Sequence, residues 1–123
     1  NELIDDMNNF SKTLLPDSAL SQIQIERFKD SLSNLEESVS LLLSQSDNRL
    51  FSGSVAFDML MMTSIITATW QMLVSSQKAR LALENNKPSS DFFDRKIKTT
   101  QHFVDSILPR YMGHFMAITA AGS

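Results

Sequence analysis

The chain has 123 residues, with 11 Lys and Arg against 14 Asp and Glu, three glycines, three prolines and no cysteine, enough for one domain with one ordinary core and too little for two. A net charge of −3 and an isoelectric point near 5.2 lack the basic footprint of a nucleic-acid binder and offer nothing to an anionic membrane surface. Without cysteine there is no disulfide framework, thiolate nucleophile or Cys-ligated zinc, and a cytoplasmic location fits that composition.

The opening Asn1-Glu2-Leu3-Ile4-Asp5-Asp6 has no basic stretch ahead of an apolar one, so it does not read as a secretory signal. It also lacks an initiator methionine; processing would explain that, and a segment of a longer protein is the sharper expectation. Leu3, Met7, Phe10 and Leu14 recur at three or four residues, which predicts a short helix. Pro16-Asp17-Ser18 can turn the chain and cap the next one, where Ile25, Phe28, Leu32, Leu35, Val39 and Leu42 alternate by three and four like a coiled-coil seam. After the Ser46-Asp47-Asn48 cluster a third helix runs from about 49 to 85. Its middle is apolar on more than one side, through Phe57, Leu60, Met61, Ile65, Ile66, Trp70 and Leu73, as befits a helix at the centre of a bundle with Trp70 buried. Thr63, Ser64, Thr67 and Thr69 can return hydrogen bonds to the preceding turn and let neighbours approach closely. The uncharged run 59–77 is long enough to cross a bilayer, but eight of its nineteen residues are Ser, Thr or Gln, which favours a buried helix over a membrane span.

The loop Asn85-Asn86-Lys87-Pro88-Ser89-Ser90 stops that helix and offers a serine cap to a fourth, with Asp91 in its favourable first turn. Phe93, Ile97, Thr100, Val104, Ile107, Tyr111, Phe115 and Ile118 share one face of the fourth helix. Pro109 should kink or break it, because proline lacks the backbone donor and crowds the preceding turn. Gly122 is a natural terminator. With no period-two alternation anywhere, the expected fold is an all-α antiparallel bundle of three long helices and a short N-terminal one, spanning 1–123 as a single domain.

Residues that could carry chemistry are sparse. His102 and His114 have no second histidine at the i+3 or i+4 spacing of a helical metal site and read as surface or partly buried side chains. Glu36 and Glu37, and Asp91, Asp94 and Asp105, lie among polar neighbours that would not shift a carboxylate toward acid–base work. Gly53, Gly113 and Gly122 are isolated, so no glycine-rich phosphate loop exists. Met59, Met61, Met62 and Met72 suit core filling better than a plastic binding groove. The cluster Arg95-Lys96-Lys98 could meet a phosphate or an acidic partner. The simpler use is charge complementarity between helices, since residues 1–50 carry nine acids and four bases and residues 51–123 five acids and seven bases. No catalytic, cofactor-binding or metal-ligating residue is assigned.

Ala56-Phe57-Asp58-Met59-Leu60, Trp70 ten residues later, Phe92 to Lys96, Thr99, Phe103, the turn Ile107-Leu108-Pro109-Arg110 and the close Ala117-Ile118-Thr119-Ala120-Ala121-Gly122 form a recognisable order. Together they resemble the C-terminal helical domain of one branch of the acyl-CoA dehydrogenases, the branch of methylmercaptopropionyl-CoA dehydrogenase-like enzymes. The resemblance covers about 50–122, and 18–45 is compatible by helix pattern. Ser64 stands where the family usually has glycine, and Thr99-Thr100-Gln101-His102-Phe103 where it usually reads Thr-Ala-Arg-Phe-Tyr. The resemblance implies an accessory domain of an FAD-dependent oxidoreductase of fatty acid metabolism. The flavin, the acyl-CoA substrate and a proton-abstracting glutamate would belong to an upstream core, and this chain would support packing against that core or a second subunit. If the domain did supply a chemical group, Lys96, Gln101 and His102 are the first positions to examine. The alternative is a free-standing bundle whose Met-rich groove holds an amphipathic helix or an apolar ligand.

Overall fold

A computed structural model describes residues 1–17, 19–85 and 90–122, without the side chain of Ser90. Among them the chain is helical, with no strand: α1 (Glu2–Ser11), α2 (Gln22–Ser44), α3 (Arg49–Glu84), α4 (Ser90–His102) and α5 (Tyr111–Ala121). The caps expected from Ser18 and Ser89-Ser90, and the stop at Pro88, lie outside the described residues.

The starts of α1, α2 and α3 each have a local cause. The Asn1 side chain accepts the Leu3 N–H at 2.9 Å, and Glu2 and Asp5 occupy the first turn of α1, where the helix dipole favours acids. Asp17 turns the chain by accepting the Ala19 and Leu20 N–H groups. The cap of α2 is Ser21, which exchanges hydrogen bonds with Gln24 in a capping box. Asn48 caps α3 through the Phe51 N–H.

At 36 residues α3 is about 54 Å long, and the other helices pack along it. Two cross-links place α2 and α5 side by side and parallel: Asn34 Nδ2 donates to the Tyr111 hydroxyl, and Gln45 Nε2 to the Gly122 carbonyl. Both run antiparallel to α3, which meets α5 along its first half and α4 along its second. At the crossing with α2, Gly122 comes so close to Leu41 that an added Cβ would sit 2.6 Å from the Leu41 side chain.

The core joins α1, α2, α3 and α5 through Met7, Ile25, Phe28, Leu32, Leu35, Val55, Met62, Ile66, Leu108 and Ile118. Burying Phe28 completely is worth roughly 1.5–3 kcal/mol. A second, smaller cluster of Ala19, Ala79 and Ile97, flanked by Leu83 and Phe93, closes the far end between α3 and α4.

The fourth segment breaks where Pro109 demanded it. Phe103–Ile107 widens into a π-turn, with the Leu108 N–H reaching the Phe103 carbonyl, and Leu108–Arg110 tightens into a 3-10 turn before α5 resumes. Widening the backbone ahead of the ring relieves the clash proline would make one turn earlier.

Two expectations are corrected. The third helix is not buried all round. It buries one stripe, Phe51, Val55, Met62, Ile66, Thr69, Leu73, Ser76 and Ala79, while Leu50, Phe57 and Leu60 on other sides are exposed. By length and composition α3 could cross a membrane, and 22% of its most apolar window is buried within the fold. Trp70 is half-buried at the flank of the core, because the stripe that faces α2 passes through Thr69 and Leu73. Its indole Nε1 is shielded from solvent without an acceptor. Of the hydroxyls expected to bond the preceding turn, Ser64 and Thr69 do so, whereas the Thr67 Oγ1 is buried without a partner.

Candidate functional site

The outer sides of α3 and α5 form the most distinctive surface. Between Arg49 and Lys78 the only charged residue is Asp58, and between Arg110 and the end of α5 there is none apart from the titratable His114. These two meet: His114 Nδ1 lies 2.8 Å from Asp58 Oδ1, with both side chains about one-fifth exposed. The Phe57 ring stands edge-on to the imidazole, centroids 6.0 Å apart. Hence the one carboxylate of the α3 half is held by the one imidazole of α5, and the surface around them carries only neutral side chains.

Phe57, Leu60, Ser64, Ala68 and Gln71 succeed one another at three or four residues, so they share the face of α3 opposite the core, and all are exposed. On α5, Gly113, Met116, Ala117 and Ala120 are exposed in the same way.

A second feature lies at the Pro109 break. Asp105, three residues after His102, turns on the π-turn toward α2 and accepts from Gln24 and Arg27 at 3.2 and 3.3 Å. Tyr111, just after the break, is buried. Burial raises its phenol above the ordinary value, the hydrogen bond from Asn34 opposes the rise, and the charge of Asp30 adds to it. A shallow cavity of about 190 Å³ opens here between Arg27, Asp30, Leu108, Pro109, Tyr111 and Met112. A larger one, about 290 Å³, lies among Leu14, Asp17, Leu20, Leu73, Ser76 and Arg80. Its guanidinium is committed to Asp17 at 2.9 Å and to Glu84 at 2.6 Å.

The residues singled out from sequence do not converge. His102 is exposed on α4 and takes no part in the His114–Asp58 pair. Glu36 and Glu37 are exposed; Glu36 accepts a hydrogen bond from Asn8 Nδ2, which ties α1 to α2. Asp91 sits in the first turn of α4. Lys98 pairs with Asp94 on its own helix, so the Arg95-Lys96-Lys98 cluster does not reach the acidic N-terminal half through that lysine. Charge complementarity between the two halves is carried by Arg80 and Asp17, and Arg27–Asp105 runs in the opposite sense. Met62 is fully buried, and the spacing of Met59, Met61 and Met72 spreads them over different sides of α3. Gln101 donates to the Ala19 carbonyl. Among the described residues no three His, Cys, Asp or Glu side chains come together. The His114–Asp58 pair was beyond sequence reasoning, since 56 residues separate its members and no local spacing announces it.

A family model described as acetyl-CoA dehydrogenase C-terminal like matches residues 3–123. It therefore takes in α1 and α2 as well as the 50–122 region whose residues carry the resemblance. No curated protein and no solved structure matches the chain.

Proposed function

The chain belongs to the acetyl-CoA dehydrogenase C-terminal-like family, and from that premise we propose that it is the C-terminal accessory domain of a cytoplasmic, FAD-dependent acyl-CoA dehydrogenase. It would support packing and assembly while an upstream core carries the chemistry. The methylmercaptopropionyl-CoA dehydrogenase-like branch is our choice within the family, on the residue order from Ala56 to Gly122. FAD and the acyl-CoA belong to the core in this reading. The larger cavity here, about 290 Å³, is at the lower edge of what a drug-sized ligand fills and is too small for a flavin dinucleotide. Its one cation is already neutralised by two carboxylates. The residues of this chain therefore do not fit the flavin, and no chemical step is assigned to them.

The observation that carries the assembly role is the contrast between an outer α3–α5 surface rich in apolar groups and a set of titratable side chains dispersed over the bundle. The test is made on the parent enzyme with and without residues 1–123. Flavin reduction in substrate-bound enzyme should stay within about twofold, a difference of ~0.4 kcal/mol in barrier, while oligomer mass or thermal stability falls. Loss of flavin reduction with assembly, stability and substrate affinity intact would show that the domain supplies a reacting group, and Lys96, Gln101 and His102 would be replaced first.

A further inference from the structure

We propose that the cavity between the α1–α2 connector and the second half of α3 is a binding site for a small neutral molecule, a short branched aliphatic chain ending in a carboxamide. The proposal goes beyond the accessory-domain reading and does not depend on it, because the site is built wholly from residues of this chain.

The cavity measures about 290 Å³, and Asp17 fixes the connector that borders it. Its Oδ1 accepts the Ala19 and Leu20 N–H groups at 2.8 and 3.0 Å, and its Oδ2 accepts from Arg80 Nε at 2.9 Å. One carboxylate therefore both shapes the connector and ties it to α3. An apolar cavity of about 150 Å³ takes up benzene, so this one has room for roughly ten non-hydrogen atoms.

Ser76 is the residue that points to a ligand. It is 6% exposed and lines the cavity, yet its hydroxyl makes no hydrogen bond to any described residue. A serine within a helix ordinarily bonds the carbonyl one turn back. Here that carbonyl, on Met72, receives the Thr100 hydroxyl instead. Buried hydroxyls are nearly always satisfied, and the cavity is the side from which a partner can reach this one. Gln77, the next residue along, is half-buried on the same cavity, and its side-chain amide likewise bonds no described residue.

The lining selects the chemistry of the occupant. Leu14, Leu20 and Leu73 are buried and apolar, which suits a branched aliphatic body. A hydroxyl and an amide each donate and accept, and a carboxamide offers both functions in return. A carboxylate finds no free cation, since Arg80 is shared between Asp17 and Glu84, two acids to one guanidinium. An ammonium would have to leave water for neutral partners, which costs more than burying an amide.

The test is a titration of the isotope-labelled 123-residue chain, followed by two-dimensional NMR at neutral pH, with 4-methylpentanamide, 4-methylpentanoate and 4-methylpentylamine. The amide should shift the backbone signals of Leu15, Leu20, Ser76 and Gln77 saturably, and the two ions should bind about tenfold more weakly or less. Ser76→Ala and Gln77→Met should each weaken amide binding about 3–10-fold, the loss of one hydrogen bond. Gln71→Met, at an exposed position on another side of α3, should leave it unchanged. Circular dichroism identifies a variant that has lost its fold, and Gln77→Met decides the matter if Ser76→Ala is one. The proposal is overturned by an amide that produces no saturable shift at these positions, by binding that survives both Ser76→Ala and Gln77→Met, or by either ion binding as tightly as the amide.

Discussion

The half of α3 that packs on α5 and the half that packs on α4 belong to one helix but are stabilised differently. In the first half, Phe51, Val55, Met62 and Ile66 enter a core shared with Phe28, Leu32, Leu108 and Ile118. In the second, contact with α4 relies on a cluster of Ala19, Ala79 and Ile97 and on the Thr100 hydroxyl reaching the Met72 carbonyl at 3.3 Å, while the Arg80 ion pairs tie α3 to Asp17 before α2 and to its own Glu84. Large apolar side chains supply most of the transfer free energy of folding, whereas partly exposed ion pairs contribute little. Cohesion is thus concentrated at the α2–α3–α5 end, and the α4 end is the part able to open without unfolding the rest.

The sharpest way to break this contrast is to strike each end in turn. Phe28→Ala should cost about 3–5 kcal/mol, a large share of the stability of a domain this size, and shift the denaturant midpoint of the whole chain. Ile97→Val should cost only about 0.5–1.5 kcal/mol. Native-state hydrogen exchange should then show the α4 amides opening more easily while those of α2 stay at the global limit. Equal protection along α4 and α2 would mean that the two ends form one cooperative unit.

Tyr111 probes the junction between the ends. Its phenol is held above its ordinary value of 10.0, chiefly by burial, so the folded state favours the neutral form. Stability from this source is complete below the unfolded value, near 10. It is lost as pH rises further, toward the higher folded value, because the unfolded chain ionises first. Tyr111→Phe should remove that alkaline decline and cost about 1 kcal/mol at neutral pH, through the lost bond from Asn34. Denaturant midpoints followed from pH 7 to about 11, above the model phenol value, would show either a flattened profile or an unchanged one, and the latter would place the alkaline loss elsewhere.

Much of this architecture was legible in the residues. Of the seam from Ile25 to Leu42, Ile25, Phe28, Leu32 and Leu35 are buried and Val39 and Leu42 partly buried against the same core, and the break at Pro109 follows from the chemistry of one ring. The bounds of α3 follow from Asn48 at one end and the polar run at the other. What the periodicity could not give was which apolar positions of α3 are covered. Phe57 and Leu60 are as hydrophobic as Met62 and Ile66, and only the placement of α2 and α5 decides that the latter pair is inside. The same holds for the candidate site. The inference that no local constellation of acids or histidines stands out rested on spacing, while the His114–Asp58 pair depends on two helices brought together from distant parts of the chain. The cap of α2 is Ser21, beyond the Pro16-Asp17-Ser18 segment expected to turn and cap the chain, and its capping box with Gln24 satisfies two backbone donors at once.

Trp70→Phe gives the smallest effect and the finest test of the division between the ends. The side chain lies half-buried against the main core, two turns before Ala79 begins the smaller cluster. Truncation to alanine should therefore cost less than the ~3–5 kcal/mol typical of a fully buried tryptophan. The indole Nε1 is enclosed without an acceptor, and an enclosed donor left unpaired costs about 1–3 kcal/mol relative to one that is satisfied. Trp70→Phe keeps most of the ring contact and removes that donor, so its two consequences oppose each other: a loss of packing volume and a relief of desolvation. Stability should stay within about 0.5 kcal/mol of the parent, whereas Trp70→Ala falls well below it. A Trp70→Phe protein destabilised by more than ~1.5 kcal/mol would mean that the indole N–H has an acceptor in solution. An ordered water shared with the equally unpartnered Thr67 hydroxyl one turn away would then be the place to look, and Thr67→Val should reproduce the loss.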